Sequence, residues 1–186
     1  MKFPDNAKLV FDGEIFKVYQ WQQKLYDGSY ATFEGIARPD TVGIIAEKDG
    51  KIIYTKQSQP NREKQFLSLL GGRADGDETP LEAAKREMLE ESGLASDDWE
   101  LLFKFELISK MDWTIYAYVA RNCYQAAEPN PDKGEKIELV ATDVDDFLLN
   151  VITHPDFRDA ELKYRIFTEP NQKNINKIKN KLLNRK

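Results

Sequence analysis

The chain has 186 residues, which suits one domain with a small extension and is too short for two full domains. Apolar residues make up 41% of it and charged residues 32%, so a core can form beneath a well-solvated surface. The 27 basic and 32 acidic residues give a net charge of −5, which argues against duplex nucleic acid as a partner. The single cysteine, Cys123, excludes a disulfide scaffold and a thiolate zinc site. No apolar run approaches the ~18 residues of a membrane span, so we expect a cytoplasmic protein with no membrane partner.

Two Asp-Gly pairs predict β-hairpins in the first third of the chain. Asp27-Gly28 and Asp49-Gly50 each separate two stretches that are rich in aromatic and β-branched residues. The four predicted strands cover residues 16–26, 29–38, 41–47 and 51–57. A short apolar run over 66–70 follows and ends at a double glycine, Gly71-Gly72.

The best-defined helix follows this double glycine. Thr79 is a suitable N-cap, Pro80 suits the first helical position, and Glu82 completes a capping box with Thr79. Gly93 supplies the left-handed residue that ends many helices. The sequence therefore predicts a helix over residues 80–92.

In the second half of the chain, the predicted strands and helices follow one another in a less regular order. Strands are predicted over 99–109, 113–124 and 137–141, and helices over 143–152, 155–167 and 171–183. Strands on both sides of one central helix, with further helices at the end, predict an α/β fold in which a mixed sheet packs between helices.

Three acidic side chains are crowded on the predicted helix at Glu87, Glu90 and Glu91. They lie within an arc of roughly 100° beside the apolar face, where like charges repel one another. They also lie towards the helix C-terminus, where the helix dipole disfavours anions. A solvated acidic face without a role is the simpler interpretation, but it leaves this costly placement unexplained.

A divalent cation offers an explanation for the crowding. Carboxylates one helical turn apart can bind one hard ion, and Mg²⁺ prefers oxygen ligands, with Mn²⁺ as a possible substitute. The glycine-rich loop that enters the helix allows close approach of a ligand, and the Gly71 carbonyl could bind the same ion.

Residues 72–94 read GRADGDETPLEAAKREMLEESGL, which resembles the Nudix box of the Nudix hydrolases. The matching positions are Gly72, Glu78, Arg86, Glu87, Met88, Glu90, Glu91, Gly93 and Leu94. The resemblance implies a Nudix-type α/β/α sandwich that hydrolyses the pyrophosphate bond of a nucleoside diphosphate linked to another group. It also implies dependence on a divalent metal.

The same resemblance implies roles for single residues. Glu87 and Glu91 would be the principal metal ligands, with Glu90 and the Gly71 carbonyl as further ligands. Glu78 and Arg86 would form an ion pair that holds the loop against the helix; Gly72 and Gly93 would be structural. The catalytic residues would be Glu90, Glu91, Arg86 and a downstream acid.

The downstream acid comes from a loop far beyond the box in the ADP-ribose pyrophosphatase branch of the family. The corresponding stretch here is 132–138, in which Glu135 is our candidate for a metal ligand or base and Glu138 is the next. A surface acid without a role is the alternative for either residue.

Residues 1–40 look like the N-terminal β extension of that branch, where it supports a homodimer and part of the base-binding site. Residues 41–186 would form the Nudix hydrolase domain with its C-terminal helices. Trp21 and Trp113 could stack on a nucleobase and Arg62 could bind substrate. Ordinary strand packing or a dimer contact is the alternative for each tryptophan.

The segment before the box, SLLGG, departs from that branch, which more often has an acid and a proline there. Another nucleoside diphosphate sugar is therefore nearly as good a candidate as ADP-ribose, with a nucleoside monophosphate and a sugar phosphate as products. Dinucleotide polyphosphates, nucleoside triphosphates or capped RNA are a second possibility. A Nudix-fold module that binds a nucleotide without cleaving it is the alternative from another class.

Overall fold

The computed structural model describes residues 2–106, 108–167 and 172–183. Its strands are β1 (Lys8–Asp12), β2 (Lys17–Lys24), β3 (Tyr30–Ala37), β4 (Thr41–Lys48), β5 (Lys51–Ser58), β6 (Phe66–Ser68), β7 (Leu94–Ala95), β8 (Asp98–Glu106), β9 (Met111–Asp112), β10 (Thr114–Arg121), β11 (Tyr124–Gln125) and β12 (Lys136–Asp143). Its helices are α1 (Pro80–Ser92), α2 (Val144–Asp146), α3 (Ala160–Phe167) and α4 (Gln172–Leu182), and a π-helical turn (Phe147–Val151) continues α2.

The strands form two principal sheets. The N-terminal sheet has the order β1-β2-β3-β9, and the central sheet has the order β12-β5-β4-β10-β8 with β6 paired to β5. Within the central sheet β4 and β10 run parallel, whereas the other pairs are antiparallel. The predicted mixed sheet is therefore confirmed.

Helices cover both faces of the central sheet, as the alternation of side chains along β4 illustrates. Ile44 packs in an apolar cluster with Met88 of α1, on one face. Ile45 points to the other face and packs in a cluster with Phe147 and with Leu162 of α3. Because strand residues alternate between faces, one strand contributes to both cores, and the α/β/α sandwich predicted from the sequence is confirmed.

The local signals of α1 predicted its bounds correctly. The Thr79 hydroxyl accepts a hydrogen bond from the Glu82 amide (3.3 Å), and the Glu82 carboxylate accepts one from the Thr79 amide (2.8 Å). Gly93 ends the helix with φ of 68°. Both predicted hairpins are also present, as β2–β3 and β4–β5.

The predicted helix over 155–167 is too long at its start, because α3 begins only at Ala160. The preceding residues run beside β6: the Leu67 amide donates to the Asp156 carbonyl (3.0 Å), and the Arg158 amide donates to the Leu67 carbonyl (2.8 Å). These contacts use backbone groups that a helix would need for itself. The predicted helix over 143–152 is also only partly α-helical, since it becomes the π-helical turn.

Two predicted elements include positions that lie outside the described residues. The strand predicted over 99–109 ends at Glu106, and position 107 lies outside the described residues. The last predicted helix corresponds to α4, and its proposed first residue, 171, lies outside them as well. Among the helices that the structure describes, none combines the length and apolarity that crossing a bilayer requires.

Candidate active site

The double glycine before α1 is held tightly against β4. The Val42 amide donates to the Gly72 carbonyl (2.9 Å), and the Ile44 amide donates to the Leu70 carbonyl (2.8 Å). Gly71 has φ of 143°, and a Cβ atom there would lie 2.1 Å from the Val42 carbonyl oxygen. Only glycine fits this position without displacing the backbone of a central strand.

Arg86 joins the loop to the acidic face of α1. Its guanidinium donates to both carboxylate oxygens of Glu78, at 2.8 and 3.0 Å, and to the Arg73 carbonyl at 2.9 Å. The same group donates to Glu87 (3.0 Å) and to Glu90 (2.9 Å). Hydrogen bonds from Arg86 lower the pKa of Glu78, which keeps that carboxylate charged. The ion pair expected between Glu78 and Arg86 is therefore present.

Glu91 is the most enclosed carboxylate of the group, with 4% of its surface exposed. It accepts a hydrogen bond from the Gly71 amide at 2.8 Å. Burial raises the pKa of Glu91 to about 8, and the nearby charges of Glu87 and Glu135 act in the same direction. Within the described part of the chain no lysine or arginine forms an ion pair with it.

Glu87 and Glu90 lie on the same side of α1 as Glu91 but differ in exposure. The Glu87 side chain is 16% exposed and the Glu90 side chain 45%. Burial raises the pKa of Glu87, although the charge of Arg86 opposes this effect. A Cβ atom on Gly72 would lie 2.3 Å from a Glu87 carboxylate oxygen, so this glycine allows the carboxylate to approach the loop.

These acids share an open cavity of about 880 Å³ with Glu135 and Gln59. Glu135 lies in the loop before β12, and its carboxylate accepts a hydrogen bond from the Gln59 side chain at 3.1 Å. It lines the same cavity as the acids of the box, and its charge raises the pKa of both Glu87 and Glu91. Glu138 lies within β12, opposite Lys56 of β5, and does not line this cavity.

The donors in this cavity fit a hard divalent cation, because the four carboxylates of Glu87, Glu90, Glu91 and Glu135 offer oxygen ligands only. Yet no three Asp, Glu, His or Cys side chains of the described residues already form a group that could hold one metal ion. In this arrangement Arg86 binds Glu87 and Glu90, and the Gly71 amide binds Glu91. Side-chain rotation at Glu87 and Glu90 would therefore have to accompany metal binding.

A second cavity of about 520 Å³ also borders the glycine loop. The two cavities share residues 71–73, Ile15, Gln59 and Arg158, so they meet along this loop. Trp113 lines the second cavity, and its indole N–H donates to the Thr41 hydroxyl at 3.1 Å. A ligand bound at the acids could therefore extend towards an aromatic side chain.

The proposed substrate residues divide between these cavities and the N-terminal sheet. Trp113 and Arg62 line the second cavity. Trp21 instead packs on Phe3, with ring centroids 5.6 Å apart, and its indole N–H donates to Gln23. It lines neither cavity, so its surroundings fit the alternative interpretation of strand packing.

Sequence reasoning missed several charged residues of the second cavity. They are Arg38, Arg73, Arg158, Asp159 and Glu161. Only Arg158 and Asp159 are neighbours in the sequence. The five residues show no regular spacing that would predict a common site. They meet only because β3, the glycine loop and the start of α3 approach one another in the fold.

Comparisons with known proteins agree with this architecture. The family model of the NUDIX domain matches residues 37–164. The chain is 24% identical to the ADP-ribose pyrophosphatase of Bacillus subtilis over 160 residues, which cover 84% of this chain and 86% of that protein. It is 26% identical to the methanol dehydrogenase activator of Bacillus methanolicus over 146 residues, 77% of this chain and 79% of the relative. The solved structure of an ADP compounds hydrolase superposes with a TM-score of 0.74 at 22% identity, covering 98% of this chain and 95% of that one.

Proposed function

The chain belongs to the NUDIX domain family, and from this we propose that it is a pyrophosphohydrolase that uses Mg²⁺ to cleave ADP-ribose or a related nucleoside diphosphate sugar. The products would be a nucleoside monophosphate and a sugar phosphate. Similarity to an ADP-ribose pyrophosphatase over most of both chains supports this choice of substrate class.

The environment of Glu91 is the observation that carries the proposal. A buried carboxylate is costly unless a cation or several hydrogen bonds balance its charge. Glu91 accepts one short hydrogen bond from the Gly71 amide and a longer one from the Gln57 side chain (3.4 Å). The charges of Glu87 and Glu135 raise its pKa further, and the charge of Arg158 opposes them only in part. A divalent cation would balance this surplus of charge, and Mn²⁺ could replace Mg²⁺ because both prefer oxygen ligands.

In this proposal Glu87, Glu90, Glu91 and the Gly71 carbonyl would hold the cation, with Glu135 as a further ligand or the base. When bound, the ion would neutralise the diphosphate and lower the pKa of a water molecule. Arg86 acts as a positioning residue, since its hydrogen bonds to Glu78 and the Arg73 carbonyl hold the glycine loop against α1. Glu135 would accept the proton of the attacking water, and Gln59 would orient that carboxylate.

The N-terminal sheet supports a further part of the proposal, a homodimer. On β1 the side chains of Val10 and Phe11 are 52% and 59% exposed. Exposed apolar side chains on an edge strand suit a second copy of the chain.

We place the protein in the cytoplasm, where its single thiol, Cys123, would stay reduced.

A substrate panel with one inactive variant tests the proposal. Product release with Mg²⁺ should be measured across ADP-ribose, GDP-mannose, UDP-glucose, a diadenosine polyphosphate and nucleoside triphosphates. Glu91→Gln should lower turnover by at least about a hundredfold, because it removes an anionic ligand and leaves the hydrogen bond from Gly71 possible. Glu128→Gln, on an exposed loop, is the matched control and should retain full activity.

The alternatives give different outcomes in the same panel. Preference for the diadenosine polyphosphate or the triphosphates would favour the second enzymatic hypothesis. Binding of a nucleotide without any product would favour a non-catalytic module, although all the acids of the box are present here. Full activity of Glu91→Gln would contradict the assignment of the metal ligands.

A further inference from the structure

Four arginines line the cavity beside the acidic site: Arg38, Arg62, Arg73 and Arg158. They come from the end of β3, the loop after β5, the glycine loop and the turn before α3. No carboxylate of the described residues lies within ion-pair distance of any of these four guanidinium groups. The cavity therefore presents a concentration of positive charge next to the proposed diphosphate site.

Aromatic rings, instead of carboxylates, hold three of these arginines in place. The Arg38 guanidinium lies 4.4 Å from the centre of the Trp113 ring and 5.6 Å from that of Phe16. Arg62 and Arg158 both lie over the buried Phe66 ring, at 4.6 and 5.2 Å. A ring face positions a guanidinium without neutralising it, so the N–H groups stay available for an anion.

Burial of the Arg38 side chain costs free energy when no ligand is bound. Its Nε atom is buried and has no hydrogen-bond partner in the structure. Burial lowers the pKa of Arg38, and the like charges of Arg73 and Arg158 act in the same direction. Buried donors without partners are rare in folded proteins, and strain, a functional role or a bound water or ion usually explains them.

Two carboxylates also line the cavity, and they do not cancel the positive charge. The Asp159 carboxylate already accepts two hydrogen bonds within the protein, from the Leu69 amide (2.7 Å) and the Ser68 hydroxyl (3.1 Å). Glu161 is half-buried, and burial raises its pKa to about 7. Four arginines therefore face at most two negative charges.

We propose that this arginine cavity is a second anion subsite, which binds a phosphate monoester carried by the substrate beyond the diphosphate that is cleaved. The inference rests on the proposed function and narrows it to phosphorylated nucleoside diphosphate sugars. Gly71, Gly72 and Arg73 border both cavities, so one extended ligand can reach the acids and the arginines together. Planar guanidinium groups bind phosphate oxygens through paired hydrogen bonds.

Three related compounds test the subsite: ADP-ribose, ADP-ribose 2′-phosphate and ADP-ribose 1″-phosphate. They share one diphosphate and differ by a single phosphate on either ribose. Their KM values with Mg²⁺, and their Kd values in EDTA where no turnover is expected, should be measured for the wild type. One phosphorylated compound should bind about tenfold more tightly than ADP-ribose, as several charge-assisted hydrogen bonds would require.

The variants Arg38→Gln and Arg158→Gln should each reduce that preference at least about threefold, as loss of one charge-assisted contact would predict. Arg38 is partly enclosed, so its replacement could disturb folding. Arg158 is exposed, and its replacement therefore tests the subsite without that risk. Lys24→Gln, an exposed change at the end of β2, is the control for loss of one positive charge and should keep the preference.

Equal affinity for all three compounds in the wild type would overturn the subsite, as would a preference that survives both arginine changes. Inorganic phosphate is a further probe: it should compete more strongly with the preferred phosphorylated compound than with ADP-ribose. Equal competition with every compound would overturn the proposal, because it would mean that the arginines serve the shared diphosphate. If no compound is hydrolysed with Mg²⁺ but one phosphorylated compound binds more tightly in EDTA, the proposed function is contradicted and the subsite is supported.

Discussion

At the residue scale, the Arg86 guanidinium connects three parts of the site at once. It binds Glu78, the Arg73 carbonyl and the two carboxylates of Glu87 and Glu90. Arg86→Lys keeps the charge but loses the planar fork, so several of these hydrogen bonds cannot form together. We expect a loss of about 1–2 kcal/mol in the free energy of unfolding, measured in urea, and lower turnover. Lys85→Arg, on the exposed face of the same helix, should change neither quantity.

Equal stability of Arg86→Lys and the wild type would mean that one hydrogen bond to Glu78 is enough to hold the loop. Normal turnover in that variant would also contradict the role of Arg86 in positioning the glycine loop for catalysis.

Glu161 gives a prediction for the dependence of stability on pH. Burial raises its pKa from 4.5 to about 7, so the folded state keeps a proton that the unfolded state releases at lower pH. Stability from this group is present below pH 4.5 and is lost as the pH rises towards 7. Glu161→Gln should therefore lose less stability between pH 5 and pH 8 than the wild type, by on the order of 1–2 kcal/mol.

Thermal unfolding of both proteins at several pH values measures this difference. Glu91 acts in the same direction in both proteins, because its pKa is also raised, so it cancels in the comparison. Parallel pH profiles of wild type and variant would show that Glu161 titrates near its ordinary pKa in the folded protein.

At the scale of elements, the contact between the glycine loop and β4 positions α1. Gly71→Ala would place a methyl group 2.1 Å from the Val42 carbonyl oxygen, at φ of 143°. Either the loop or the strand must move, and we expect a loss of about 2 kcal/mol or more in the free energy of unfolding. Gly134→Ala is the matched control, since a Cβ atom there meets nothing within 4 Å. A change at Gly71 as mild as the control would contradict the tight packing of the loop.

The elements also show which features the sequence could predict. The bounds of α1 followed from Thr79, Glu82 and Gly93, because capping is decided by a few neighbouring residues. The late start of α3 depends on the hydrogen bonds of Leu67 with Asp156 and Arg158, which are far from it in sequence. The short strands β7, β9 and β11 were missed because two residues carry too little pattern.

At the scale of the whole molecule, the site also has one part that neighbouring residues predict and another part that only distant contacts create. The acids of the box occupy one helix, so their proximity was visible in the spacing of Glu87, Glu90 and Glu91. The membership in the NUDIX family that the resemblance of residues 72–94 to the Nudix box implied is confirmed. The arginine cavity could not be predicted, because Arg38 and Arg158 are 120 positions apart and meet only where the segment after β3 and the turn before α3 border one cavity.

The proposed function requires that a divalent cation held by the acids of α1 takes part in pyrophosphate cleavage. Its most direct test is to remove metal from the protein with EDTA, then to follow ADP-ribose hydrolysis while Mg²⁺ is added back. We expect no AMP or ribose 5-phosphate before Mg²⁺ is added and saturable formation of both products afterwards, with Glu91→Gln inactive throughout. Hydrolysis that persists in excess EDTA, or that Glu91→Gln performs equally well, would contradict the account.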